Sequence, residues 1–304
     1  MSDEQLLSHA IDTLAQPGEL PPELIGALSH LVSTDLDAVS TAWAGLSVDR
    51  RLEILTQLNH SERRNHRLDF NALYGVAIAD AEPRVRRLAI DSIVTENGPI
   101  HLERLTDLAI NDPDPYVREA AVVRLGPFAL MAELGDLPAT WPDRLRTLLL
   151  DIYNDKAAPH GVRREALASV GYLDSIAVER AIEDGFEEDD FQLWAMRAMG
   201  RTANPDWLDT LTGEANHPDP AVRQEVARAC GELADERAIE TVAELVDDPE
   251  LEVRLAAIRS LGLIGGDEAR ETLIYALEDE RSIIREAAEN ALNEIDEDEE
   301  PLAL

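Results

Sequence analysis

The chain has 304 residues, 45% of them hydrophobic but only 4% aromatic, and a formal net charge of −35 at neutral pH. That composition supports a large aliphatic core and favours helix over sheet, while the charge opposes unaided binding to nucleic acid or anionic lipid, whose phosphates such a chain repels. The single cysteine, Cys230, excludes an internal disulfide framework and a cysteine-cluster zinc site.

Taken in order, residues 1–68 read as an irregular helical cap. "EQLLSHAIDTLAQ", "PELIGALSHLV", "LDAVSTAWAGL" and "VDRRLEILTQLNH" are helical stretches separated by Pro, Gly or Ser breaks. The acidic N-terminus has no basic region leading a long apolar run. No window reaches the roughly 18 apolar residues that a membrane helix needs, so the expectation is a cytoplasmic chain without membrane insertion.

From residue 69 a pattern recurs. "NDPDPYVREAAVVRLG" (111–126) and "HPDPAVRQEVARACGELAD" (217–235) share a Pro-rich turn, an aliphatic anchor, an arginine, a small residue and a closing glycine. The anchor is Val85, Val117, Val162, Val222, Val253 and Ile284, with Phe191 in the slot between; the last four lie about 31 residues apart, a solenoid period. Arg86, Arg118, Arg163, Arg223, Arg254 and Arg285 follow the anchors, Gln192 being the exception. Ala89, Ala121, Ala166, Ala195, Val226, Ala257 and Ala288 come four positions after them. Gly126, Gly171, Gly200, Gly231 and Gly262 close the units, replaced by Val94 and Asn293 in the first and last.

Apolar residues three and four apart predict one stripe along a helix. The glycines predict left-handed helix stops, and "DPDP" and "DDPE" predict an Asp cap with Pro in the first turn. A first helix precedes each such helix, as in "LERLTDLAIND", "AIETVAELVDD" and "ARETLIYALED". An aspartate follows its last apolar residue at Asp80, Asp112, Asp248 and Asp279.

This pattern resembles the HEAT-repeat family, in its short-period, phycobilisome-lyase-type form, over residues 69–295. The resemblance implies an all-α fold: a right-handed α-solenoid of about seven stacked antiparallel helix pairs, with an acidic tail at 296–304. It also implies a structural ladder in which the repeat arginines pair with turn aspartates of their own or an adjacent repeat. As partly exposed pairs, each would contribute under about 1 kcal/mol.

Three stretches depart from the pattern. The unit between Val117 and Val162 is about 14 residues longer than its neighbours, and its insert "PFALMAELGDLPATW" carries Phe128, Leu130, Met131 and Trp141. It reads either as a contact-making edge or as a segment folded over the spine. Around Phe191 the repeat gains aromatics, and Phe191, Trp194, Arg197, Arg201 and Trp207 are residue types enriched at binding hot spots. They read equally as rings filling a wider gap. Residues 48–90 gather Arg50, Arg51, Arg63, Arg64, Arg67, Arg84 and Arg87, whereas from residue 180 onward acids outnumber bases about three to one. That basic patch reads as a docking site for an anion or an acidic partner, or as a solvated face.

Enzymes built on this kind of repeat are testable from sequence. HEAT-like deoxyhypusine hydroxylases bind iron through His-Glu dipeptides, and none of the seven histidines here precedes a Glu. HEAT-like DNA glycosylases need a basic groove. His160, His217 and Cys230 are isolated, and no phosphate loop, nucleophile elbow or metal-spaced cluster occurs. The expected function is a non-catalytic scaffold or adaptor for a protein partner, a basic one by charge, without cofactor. A bilin-lyase-like chromophore or assembly factor is the alternative.

Overall fold

The structure, a computed structural model, describes residues 2–94 and 98–299. Among them every regular element is helical. The chain divides into two compact units, Met1–Met131 and Ala132–Leu304.

The first unit opens with α1 (Asp3–Leu14), α2 (Pro22–Ala27), α3 (Ser33–Ala44) and α4 (Val48–Arg64). Ser2 and Gln5 cap α1 reciprocally, and the Ser47 hydroxyl accepts the Arg50 N–H at the start of α4. Leu14, Leu28, Val39, Ile54, Leu55 and Leu58 form their fully buried stripe. Two helix pairs follow: α5 (Asn71–Ala77) with α6 (Pro83–Ser92), and α7 (Leu102–Asn111) with α8 (Pro115–Glu133).

α8 runs straight through Gly126 and Pro127, so the predicted stop at Gly126 is absent and the insert begins as further turns of the same helix. Phe128 is fully buried and Trp141 nearly so, with the Arg144 guanidinium 4.0 Å above the Trp141 ring; Leu130 faces solvent. The insert's rings are folded in.

The second unit is five helix pairs: α9 (Trp141–Asn154) with α10 (His160–Val170), α11 (Ile176–Phe186) with α12 (Gln192–Arg201), α13 (Leu208–Gly213) with α14 (Pro220–Leu233), α15 (Ile239–Leu245) with α16 (Leu251–Ile264), and α17 (Gly266–Ala276) with α18 (Ser282–Glu299). The second helices α10, α12, α14, α16 and α18 pack successively on one another as one layer, with the first helices behind them. Of the predicted tail, residues 296–299 continue α18, and 300–304 lie outside the described residues.

The closing glycines do a different job from the one expected. Gly171 has φ −57° at the end of α10, and Gly200, Gly231 and Gly262 lie within α12, α14 and α16. None has positive φ. Each marks a close approach between consecutive second helices. A Cβ would lie 2.5 Å from the Ala198 carbonyl oxygen at Gly171, and 2.8 Å from the Ala229 Cα at Gly200. At Gly231 it would lie 2.6 Å from the Ser260 hydroxyl, and at Gly262 2.9 Å from the Ala291 Cβ.

The arginine ladder is present but deeper than expected, and it is broken in the middle. Arg86 sends Nε and Nη2 to both oxygens of Asp112 (2.8 and 2.7 Å), one repeat on, and Nη1 to its own turn at the Asp80 carbonyl (2.8 Å). Arg223 does the same with Asp248 (2.6 and 2.9 Å) and the His217 carbonyl (2.8 Å). Arg51 pairs with Asp80 and Arg254 with Asp279, and Arg285 ends the series on the Asp279 and Glu280 carbonyls. The aspartates also shape their own turns, each accepting the N–H two residues on, at Glu82, Asp114, Glu250 and Arg281. In "DDPE", therefore, Asp248 is not the helix cap: α16 is capped at Glu250 and Pro249 stands outside it. "DPDP" behaves as expected, Asp219 accepting the Ala221 N–H ahead of Pro220 at the helix start.

The carboxylates of Asp112 and Asp248 are buried, with side-chain exposures of 3% and 5%, whereas Asp279 keeps 20%, so the surface estimate of under about 1 kcal/mol understates the Arg86–Asp112 and Arg223–Asp248 pairs. The hydrogen-bonded Arg223 fork holds Asp248 below the ordinary aspartate value of 3.8, and Arg254 holds Asp279 below it. A carboxyl lowered by folding stabilises fully above its unfolded pKa and loses that contribution as pH falls through its folded one. Acid also relieves self-repulsion in so acidic a chain, so the readable quantity is a difference. The stability gap between wild type and Arg223→Gln, followed by urea unfolding, should hold from about pH 7 to 5 and close as pH falls below about 3.8. A gap that persists unchanged at pH 2 would show that Arg223 acts through its carbonyl contacts instead.

Candidate functional site

The repeat at Phe191 is where the ladder is broken within the second unit. Arg163, from the rung before, would meet an acid five residues ahead of the next anchor, where the intact repeats have aspartate. Phe186 stands there instead. Arg163 is buried and donates to the Tyr153 carbonyl (2.8 Å), while its guanidinium lies 4.6 Å over the Phe191 ring. Tyr153 packs edge-on against Phe191 at 5.6 Å. At the following rung the arginine becomes Gln192 and the acid becomes His217. The His217 Nδ1 accepts the Asp219 N–H (3.0 Å), keeping the turn without the charge.

Phe191 is 1% exposed. This corrects its assignment as a partner contact, because an enclosed anchor ring offers a partner nothing to touch. Trp194, Arg197 and Arg201 stand on one face of α12 and remain accessible. The Trp194 indole N–H donates to Glu165 on α10 (2.9 Å), and Arg164 stacks 4.5 Å over the ring. Arg197 reaches Glu225 on α14 at 3.1 Å and Glu165 at 3.9 Å. Burial works against its charge, but Glu225 and Glu165 outweigh that and hold its pKa above the ordinary arginine value.

Glu225 also accepts from Arg228 (2.6 Å), and Arg201 donates to the Ala168 carbonyl (2.9 Å) beside Glu232. Three helices thus share a fixed, half-exposed lattice of one indole, several guanidiniums and carboxylates. Trp207 is not part of it. It lies in the 3-10 turn Pro205–Trp207 leading into a first helix, and among the described residues no hydrogen bond, ion pair or ring contact joins it to the cluster.

Glu165 and Glu225 escaped the sequence reading, although a signal was there. Three positions after the anchor the flanking repeats carry an apolar residue, Leu88, Ala120, Ala256 and Ala287, whereas three consecutive repeats carry Glu165, Trp194 and Glu225. That column is the lattice.

The basic stretch separates into used and free arginines. Arg50 is buried and donates to the Leu14 (2.8 Å) and Gly18 (2.7 Å) carbonyls, and Arg51 belongs to Asp80. Both are corrected from surface patch to structure. Arg84 pairs with Glu82 (2.8 Å), and Arg87 lies 3.9 Å from Asp91. Arg63, Arg64 and Arg67 are exposed at and just beyond the end of α4.

Cys230 is fully buried in α14, and burial pushes its thiol up to about 12. It should therefore resist a thiol reagent such as DTNB at neutral pH in the folded chain and react promptly in denaturant, since the thiolate is the reactive form. Prompt reaction without denaturant would place the thiol at an accessible site. Among the described residues no three His, Cys, Asp or Glu side chains gather to hold a metal ion, and no helix is long and apolar enough to cross a membrane.

Residues 177–256 and 240–304 match a family model described as HEAT repeats. No curated protein matches the chain. Among solved structures, it is similar to human deoxyhypusine hydroxylase in complex with glycerol, at 16% identity over 97% of each chain with a TM-score of 0.37. It is also similar to Kap121p, at 12% identity over 96% of this chain and 45% of that one with a TM-score of 0.42. A designed armadillo repeat protein is similar at 15% identity over 64% of this chain and 99% of its own, with a TM-score of 0.35.

Proposed function

We propose that this chain, which carries HEAT repeats over residues 177–304 and belongs among the HEAT-repeat proteins, is a non-catalytic interaction scaffold that receives a protein partner on the second-helix face of α10, α12 and α14. The observation that carries the reading is the Glu165–Trp194–Arg197–Glu225 lattice. It combines a half-exposed indole and arginines, the residue types that dominate binding energy, with side chains already held in place. A surface fixed before binding loses little freedom on binding. The surrounding acidity favours a basic partner and makes association fall as salt rises.

A photo-crosslinking residue in place of Arg228, on this face, tests it against the same residue in place of Ile176, exposed on α11. The expected result is one protein crosslinked from position 228, absent from position 176 and lost in a Trp194→Ala variant that still melts cooperatively. The same products from both faces, or products indifferent to Trp194→Ala, would sink the reading.

A further inference from the structure

In the first unit a groove of about 570 Å³ opens between the end of α4, the end of α6 and α8, floored by Leu68, Ile93 and Val94. Two guanidiniums face it from different helices. Arg124, on α8, anchors one nitrogen on the Asp91 carbonyl (2.8 Å), but its Nε is buried with no hydrogen-bond partner among the described residues. Arg63, on α4, is exposed and has neither a hydrogen bond nor an ion pair among the described residues.

Burial pushes the Arg124 pKa down, Asp91 opposes that, and Arg63 adds to the depression, so the two cations repel across the groove. Of the acids that line it, Glu62 points both oxygens into the core, accepting the Phe70 N–H (3.3 Å) and the Tyr74 O–H (2.9 Å). That leaves Asp91, 3.9 Å from Arg87, as the lining carboxylate that is open to solvent. Arginines at a helix end can be explained by the helix dipole, and for Arg63 alone that would suffice. Arg124 comes from another helix, and the dipole of α4 gives it no reason to line the same groove as Arg63.

We propose that this groove binds an oxyanion, a phosphate or carboxylate group, held between the guanidiniums of Arg63 and Arg124. Charge-assisted bonds from two forks neutralise the mutual repulsion. The apolar floor takes whatever carbon carries the anion. The site is independent of the scaffold face in the second unit and stands or falls separately from it.

The test is a titration of the ¹⁵N-labelled full chain, observed at the arginine Nε–Hε signals, with inorganic phosphate in one arm and acetate in the other at constant ionic strength. The expected result is saturable shifts at Arg63 and Arg124, with Arg237, which is exposed and paired with Asp235, unmoved. Arg63→Gln weakens binding roughly tenfold or more, the worth of one charge-assisted hydrogen bond. The Arg63→Gln/Arg124→Gln double variant abolishes it. Saturation in the phosphate arm alone assigns a phosphate group, and in the acetate arm alone a carboxylate. Shifts that rise linearly in both arms, that Arg237 shares, or that survive the double variant would overturn the site. Should the double variant fail to fold, Arg63→Gln, a surface change, decides it alone.

Discussion

Asp112→Ala should destabilise the first unit by about 3–5 kcal/mol, the range for breaking one side of a buried ion pair. Asp112 accepts both arms of Arg86 and the Asp114 N–H, and Arg86 itself is only 10% exposed at its side chain. Without the carboxylate a desolvated guanidinium keeps only the carbonyls of Asp80 and Ala81, and the turn into α8 loses its tie. Glu82→Ala, which frees the exposed Arg84, should be close to neutral. Because the chain has two units, the measurement is hydrogen exchange in α6 and α7, where protection should fall by two to three orders of magnitude or more, about 1.4 kcal/mol per tenfold. Replacing the pair together, as Arg86→Met/Asp112→Leu, should recover most of the loss, because a matched apolar pair is often as stable as a buried ionic one. A loss below about 1 kcal/mol for Asp112→Ala would return the ladder to the status of surface decoration.

What could be read in the sequence was periodic, and what could not was depth. The anchors, the arginines and the turn aspartates repeat in register, so Arg86 is visible in the sequence as the partner of a turn aspartate, its own Asp80 or the next repeat's Asp112. Their burial is not, because it depends on the next repeat closing over the turn. The glycines show a second kind of ambiguity. A helix stop and a helix contact both place glycine at the end of an apolar stripe, and one column does not tell them apart.

Two columns read together do. The residue two before the next repeat's closing position is Ala198, Ala229, Ser260 and Ala291, small every time. Phe191 was visible as an exception but not as a buried one, since a large ring beside Arg163 suits a gap and a hot spot alike. Only one side of the groove was legible in the sequence: Arg63 lies in the basic stretch, whereas Arg124 shares no repeat position with it and joins it only through the packing of α8.

Gly171→Ala gives the clearest separation of the two roles of glycine, because they predict opposite signs. If Gly171 were merely a weak helix former, alanine would stabilise α10 by up to about 1 kcal/mol through higher propensity and a less flexible unfolded chain. In the stack, however, the new Cβ lies 2.5 Å from the Ala198 carbonyl oxygen, 2.7 Å from its Cα and 3.0 Å from its carbonyl carbon. All three are backbone atoms, so no side chain can rotate away, and α10 and α12 must part. Overpacking of this kind costs about 1–3 kcal/mol, and here it also loosens Met196, Ala198 and Met199, all fully buried on α12. Gly200→Ala, against the Ala229 backbone, should behave alike. Gly262→Ala should cost less, because its nearest atoms, the Ala291 Cβ at 2.9 Å, the Ala291 Cα at 3.1 Å and the movable Glu294 carboxylate at 3.2 Å, each stand farther off than the corresponding ones at Gly171. Gly26→Ala in α2, where no atom lies within 4 Å of the new Cβ, serves as the control and should stabilise. Urea unfolding of the four variants ranks them. If Gly171→Ala and Gly26→Ala both stabilise, the glycine column spaces nothing, and the 31-residue period rests on the anchors and the ladder alone.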